Sequence, residues 1–193
     1  MRIVGGSHRG RNLTPPTGRD IRPTLDRVRE ALFSILSHAS RWYEDEHNPL
    51  YDGLVLDAYA GSGALGLEAI SRGAQKAVFF DTDRGALATI EQNIASLKLG
   101  DQTRVLRADA TKPPRATEPA SMVFLDPPYQ KELLGPSITA LAQAGWINAE
   151  TLIIAERDPR DPQPEVDGLE FLDSRKYGKC QIDICRLNGA RPA

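Results

Sequence analysis

"LDAYAGSGALGLEAI", residues 56–70, is the stretch on which the fold reading turns. An apolar run ends on Asp57. Gly61, Gly63 and Gly66 follow in a Gly-x-Gly-x-x-Gly spacing, and helix-forming residues continue from there. The order is strand, tight turn, helix. Glycines let the backbone turn sharply and approach a ligand closely, and a helix start offers unpaired N–H groups with a positive dipole end. Such a turn suits the pyrophosphate of a dinucleotide. It equally suits the methionine and sugar portions of S-adenosylmethionine (SAM). The spacing alone does not choose.

Outward from the loop, strands and helices alternate. "GLVLDA" precedes the loop as the first strand. "KAVFFD", "TRVLRAD", "SMVFLD" and "TLIIAER" read as four more, with helices over about 83–98 and 131–144 between them. Leu87, Ile90, Ile94 and Leu97 form the buried face of the first of these helices. "LEFLDSRKY" and "KCQIDICRL" close the chain as two strands joined at Gly178, a link short enough to require antiparallel pairing. These features predict a doubly wound, mostly parallel seven-stranded sheet with an antiparallel C-terminal hairpin. Ahead of it, "RIVGG" and "GRNLTPP" suggest a small hairpin. "RPTLDRVREALFSILSHA" reads as a helix with Thr24 as its cap and Leu25, Val28, Leu32, Ile35 and Leu36 on one face. The expected division is an N-terminal arm and helix over 1–48 and a catalytic domain over 49–193.

Ligands of doubly wound sheets sit at the carboxyl ends of the strands. Asp57, Asp81, Asp109 and Asp126 all end predicted strands, so all four are expected at one crevice. Asp81, 20 residues beyond Gly61, is placed to accept from ribose hydroxyls, while Asp83 is the better helix cap. Asp109 is placed to accept from an adenine amino group. With Ala60 and Ser62 beside the glycines, Thr82 after Asp81 and Ala110 after Asp109, these residues make up the candidate cofactor site. NAD and SAM share the ribose, so Asp81 does not separate them.

"LDPPY", residues 125–129, does. Two prolines after a strand-terminal acid fix the backbone and remove two N–H donors. The Asp126 carboxylate and the Pro127 carbonyl remain as acceptors, Pro128 stiffens the turn, and Tyr129 adds an aromatic face. Fixed acceptors with a stacking ring suit an exocyclic amino group on a planar base, and hydride transfer has no need of them.

Charge points to a polyanionic partner. Residues 1–29 hold seven arginines against two acids, a balance of +5 in a chain of net charge −2. Arg2, Arg9, Arg11, Arg19 and Arg22 are the candidate RNA contacts. Arg175, Lys176 and Lys179 form a smaller basic cluster that fits solvated surface equally well. Cys180 and Cys185 lie five apart in a strand and should face opposite sides, as buried small residues and not as a disulfide or metal pair. No metal-like histidine spacing, apolar leader or membrane-length apolar run is present in the 193 residues, and the default compartment is the cytoplasm.

The glycine loop with "DPPY" resembles the SAM-dependent amino-methyltransferases. "RIVGGSHRGRNL", "RPTLDRVREALFSIL" and "LDAYAGSGALGLEAISRGA" together resemble the RsmD family of bacterial 16S rRNA guanine-N2 methyltransferases, over nearly the whole chain. The arm and "RPTLDRVRE" carry the most specific part, which DNA adenine methyltransferases do not share. The resemblance implies a class I (Rossmann-like) methyltransferase fold and methyl transfer from SAM to guanine N2 of 16S rRNA. It further implies an assembled small-subunit particle as substrate, a monomeric enzyme and no metal. Two positions depart: Tyr59 stands where Phe is more common, and Asp81 where Glu is more usual, so a shorter carboxylate must reach the ribose. The rival readings are a DNA adenine-N6 methyltransferase, an NAD-dependent oxidoreductase and a non-catalytic RNA-binding assembly factor.

Overall fold

The structure is a computed structural model describing residues 1–15, 23–43, 47–51, 53–129 and 131–188, without the side chains of 23–25. Seven strands form one sheet: β1 (Leu54–Asp57), β2 (Lys76–Asp81), β3 (Thr103–Arg107), β4 (Met122–Leu125), β5 (Leu152–Arg157), β6 (Leu169–Tyr177) and β7 (Cys180–Leu187). Their order is β3-β2-β1-β4-β5-β7-β6, with the first five parallel and β7 antiparallel to both neighbours. The order reverses between β1 and β4, the switch point where the carboxyl ends of strands open a crevice.

The sequence orders the last two strands as a terminal hairpin, and the sheet places β7 inside it. Burial explains the choice. Ile182, Asp183, Ile184 and Cys185 of β7 are all buried, whereas β6 carries exposed Ser174, Arg175 and Lys176 and takes the edge. Charged side chains on an edge strand discourage pairing with another chain.

Among the described residues four α-helices cover the sheet: α1 (Pro23–Leu36), α2 (Ala64–Ser71), α3 (Arg84–Leu97) and α4 (Leu134–Gln143). Strand alternation divides their territory. On β4, Val123 and Leu125 face α4 through Ile138 and Leu141, while Met122 and Phe124 face α1 through Leu32, Phe33 and Leu36. Phe79 of β2 meets Leu67 of α2 and Ile90 and Ile94 of α3. Leu87 is only half-buried. Cys185 lies in the α4-side cluster and Cys180 against the α1-side one, so the two cysteines do face opposite sides.

Helix α1 begins at Pro23, which places Thr24 inside the first turn and not at the cap. Proline suits that first position, since its fixed φ is helical and its missing N–H would be unpaired there. The N-terminal segment forms one antiparallel bridge, Arg2 with Asn12, around a turn, in place of a two-stranded hairpin. Its Ile3 and Leu13 are buried beside Ala60, Leu67 and Phe79.

Candidate active site

Each glycine of the loop meets a different physical demand. Gly61 has φ 56° and open space where a Cβ would project, which leaves the backbone free to meet a ligand. Gly63, at φ 76°, is the left-handed N-cap of α2. At Gly66 a Cβ would stand 2.4 Å from the Phe79 ring, so its absence lets α2 lie close on the sheet.

Three carboxylates shape the crevice in different ways. Asp57 is buried at the end of β1, and its Oδ2 accepts from Gly66 N–H at 3.0 Å. It therefore braces the loop from below. Burial pushes its pKa up to about 7; the Gly66 bond opposes that rise and the nearby Asp81 charge adds to it. Asp81, half-buried at the end of β2, accepts from Gly61 N–H and Asp83 N–H, each at 2.9 Å. Asp83 caps α3 through Ala86 N–H at 2.8 Å, as its sequence position predicts. Asp109 is exposed two residues beyond β3 and accepts from both the hydroxyl and the N–H of Thr111, which hold its pKa below the ordinary value. Ala60, Ser62 and Ala110 are buried, and Thr82 is exposed. Tyr59 donates to or accepts from Ser137 of α4 at 2.7 Å, tying the loop's start to the opposite layer.

At the end of β4, Pro127 is buried, Asp126 is half-buried, and Pro128 and Tyr129 reach solvent. The Tyr129 hydroxyl donates to Oε1 of Glu156 on β5 at 2.6 Å. Burial first, then the bond to Glu156, raises the Tyr129 pKa far above normal, so the phenol stays protonated. Pro127, Pro128, Tyr129, Glu156 and the 161–165 loop line a cleft of about 360 Å³. A second hollow, about 490 Å³, lies at the end of β3 and includes Asp109 and Lys112.

The N-terminal segment is joined to this site by two buried groups. Asn93 of α3, 1% exposed, donates to the carbonyls of Thr14 (3.0 Å) and Ser62 (2.9 Å) and accepts from Thr14 N–H (2.7 Å). One carboxamide thus links the N-terminal segment to the glycine loop. Glu68 of α2, fully buried, accepts from Val4 N–H and Arg72, with Arg29 of α1 at 3.6 Å. Arg29 also pairs with Asp26 and donates to the Arg2 carbonyl. Arg29 is therefore interior, and its share of the N-terminal positive charge is spent inside the protein. Arg2, Arg9 and Arg11 are exposed, with Arg11 donating to the Ser96 carbonyl. Arg19 and Arg22 lie outside the described residues. Among the described residues no cluster of His, Cys, Asp or Glu could hold a metal, and no helix is long and apolar enough to cross a membrane.

The family model described as "Conserved hypothetical protein 95" matches residues 1–186. The chain belongs to this family. The match to Conserved hypothetical protein 95 runs unbroken from the N-terminal segment through the glycine loop and "LDPPY" into β7. The chain is 39% identical over 177 residues to "Ribosomal RNA small subunit methyltransferase D" of Escherichia coli, covering 91% of this chain and 84% of that one. It is 33% identical over 182 residues to the Haemophilus influenzae protein of the same name, with 92% and 89% covered. The solved structure of Escherichia coli yhhF superposes with a TM-score of 0.80 at 35% identity over 97% of each chain. These neighbours make the fold that of the class I methyltransferases.

For this member of the Conserved hypothetical protein 95 family, the sequence patterns pass over four buried or bonded residues. Asn93 falls on the Ile90–Ile94–Leu97 face, where a carboxamide among apolar neighbours is the available signal. Glu68 and Arg29 similarly interrupt apolar faces of α2 and α1. Glu156 is the penultimate residue of β5, before Arg157, and its place near a strand end is the available signal.

Proposed function

We propose that the chain is a SAM-dependent methyltransferase acting on the exocyclic N2 amino group of a guanine in small-subunit rRNA. The reading rests on one observation above others. "LDPPY" ends β4 at the switch point of a class I methyltransferase sheet, in a chain 39% identical to a small-subunit rRNA methyltransferase. Residues 1–48 would contact RNA and residues 49–193 would hold SAM and carry out the transfer. The substrate would be rRNA in a small subunit or an assembly intermediate, met in the cytoplasm by a monomer.

The residues present fit SAM. Gly61 leaves open space above a backbone already fixed by Asp81. A carboxylate accommodates about four hydrogen bonds, so Asp81 retains acceptor capacity for ribose hydroxyls after the two backbone bonds. Asp109, Ala110 and Thr82 would complete the site around the adenine and ribose, with Ala60, Ser62 and Gly63 around the methionine portion. SAM supplies a methyl on a sulfonium centre, released with its bonding electron pair left on sulfur.

The chain's own task is to make a poor nucleophile react. The guanine amino lone pair is delocalised into the ring. Asp126 and the Pro127 carbonyl would accept its two protons, hold the nitrogen and favour a pyramidal geometry. Positioning of this kind supplies a large part of the rate. As positive charge develops on the nitrogen, the Asp126 carboxylate beside it stabilises that charge and offers an acceptor for the departing proton. The Tyr129 ring would stack on the base once it has left its helix or loop.

Transfer of labelled methyl from SAM to small subunits lacking the modification, followed by nucleoside analysis, tests the proposal. N2-methylguanosine is the expected product. N6-methyladenosine would transfer the reading to the adenine chemistry that "DPPY" also serves, and absence of any transfer to RNA would overturn it.

A further inference from the structure

The cleft beside "LDPPY" sets acidic residues among prolines and leucines. Glu132, Glu156, Asp161 and Glu165 contribute carboxylates. Arg157 is the only basic side chain among the described lining residues, and it is already committed: Nε donates to Asp183 at 2.6 Å and Nη1 to the Asp161 carbonyl at 2.6 Å. Such a cleft repels phosphate and attracts a ligand edge made of N–H donors.

Sheet register places one carboxylate beside Asp126. Strands β4 and β5 are parallel with Leu125 opposite Ala155, so Glu156 follows on β5 where Asp126 follows on β4. Glu156 also accepts the Tyr129 hydroxyl, which fixes it against the ring proposed to stack on the base. Guanine presents N1–H directly next to its N2 amino group. Adenine presents an N1 lone pair next to its N6 amino group. The two bases therefore differ in sign at the atom adjacent to the reacting nitrogen.

Resting on the guanine-N2 reading above, we propose that Glu156 is the specificity-determining residue of the site, accepting the N1–H of the target guanine while Asp126 and the Pro127 carbonyl hold N2. The carboxylate has the capacity: of about four lone-pair sites, the Tyr129 hydroxyl occupies one. A base with a lone pair at N1 would face the carboxylate acceptor to acceptor, leaving two groups unpaired in a confined site.

2-Aminopurine probes this contact, because it keeps the reactive amino group and replaces N1–H by a lone pair; its missing O6 is common to all three proteins and cancels in their comparison. Small subunits are reconstituted on rRNA carrying guanine or 2-aminopurine at the methylated position. Single-turnover methylation is then measured for wild type, Glu156→Gln and Glu156→Ala, with SAM binding as the folding control. Wild type should prefer guanine by roughly 10- to 100-fold, the discrimination of one specific base contact. In Glu156→Gln the amide presents an oxygen to N1–H or an NH2 to an N1 lone pair, so the preference should shrink. Glu156→Ala should bring the two bases near parity, and it carries the test if the Gln variant fails to bind SAM. Differences in the ease of unpairing the two bases are common to all three proteins and cancel in the comparison. A merely structural Glu156, holding Tyr129 in place, would lower both rates equally. An unchanged guanine to 2-aminopurine ratio in the variants would overturn the assignment while leaving the methyltransferase reading intact. Wild type that methylates no guanine overturns both.

Discussion

Asp57 shows how one residue's surroundings set a measurable pH dependence. Its folded pKa of about 7 stands above the ordinary value of 3.8, so folding favours the neutral carboxyl. The sign follows from linkage: its contribution to stability is fully present below about pH 4 and is lost as pH rises through about 7. Asp57→Asn keeps an acceptor for Gly66 N–H and removes the titration. Melting without SAM at pH 5, 6.5 and 8 should show the variant gaining on wild type as pH rises; parallel curves would mean Asp57 does not titrate there. Asp81 and Asp126 should separate by assay. Asp81→Ala is expected to weaken SAM binding by about 1.5–3 kcal/mol, read by calorimetry, because it removes a charged acceptor. Asp126→Ala should leave that affinity near wild type and cut turnover by about 10²-fold or more, since its partner is the amine in the transition state. Turnover above about a tenth of normal would remove Asp126 from the role proposed for it.

Helix α3 does more than cover the sheet. It carries Asn93, whose carboxamide bonds the N-terminal segment at Thr14 and the glycine loop at Ser62. Asn93→Ala leaves those backbone groups without partners and should cost about 1–3 kcal/mol of stability. Because one of the lost partners is in the loop itself, SAM affinity should fall with the melting temperature. A variant that melts early yet binds SAM normally would confine Asn93 to a structural role. The same element-level linkage appears at Glu68, which holds α1, α2 and Val4 together through buried charge. Pairs of this kind are costly to break from one side, since the remaining cation stays buried.

Across the whole molecule, the N-terminal segment packs into the core and, in the function proposed, would also contact RNA. Ile3 and Leu13 belong to the core, so deleting residues 1–20 would disturb folding and RNA contact together. Exposed Arg2, Arg9 and Arg11 allow a cleaner test. Replacing all three by Gln should preserve SAM binding and weaken RNA binding in a salt-dependent way. If each contacts a phosphate, the slope of log affinity against log salt should flatten by roughly 2, from about 0.7 per contact on single strands. An unchanged slope would send the search for the RNA surface to Lys176 and Lys179. Arg175 is a weaker candidate there, because Asp173 already takes two of its N–H groups.

Local chemistry was legible in the chain wherever it depends on neighbours in sequence. Hydrophobic period, glycine spacing and proline placement reveal strands, loop and helices because each follows from backbone geometry over a few residues. Asp83 as a cap and Asp81 at a strand end could be read for that reason. So could the parallel core of the sheet, since βαβ units admit few arrangements. The tertiary structure alone decided what depends on distant partners. β7 sits inside β6 because its side chains are the ones both faces can bury. Asp57 is a buried brace because Gly66 N–H needs an acceptor beneath the loop. Arg29 is interior, although it reads as part of a basic arm, because Glu68 lies 39 positions away in sequence and 3.6 Å away in space. Glu156 joins the candidate site because β5 lies beside β4 in the sheet, and no local pattern encodes that pairing.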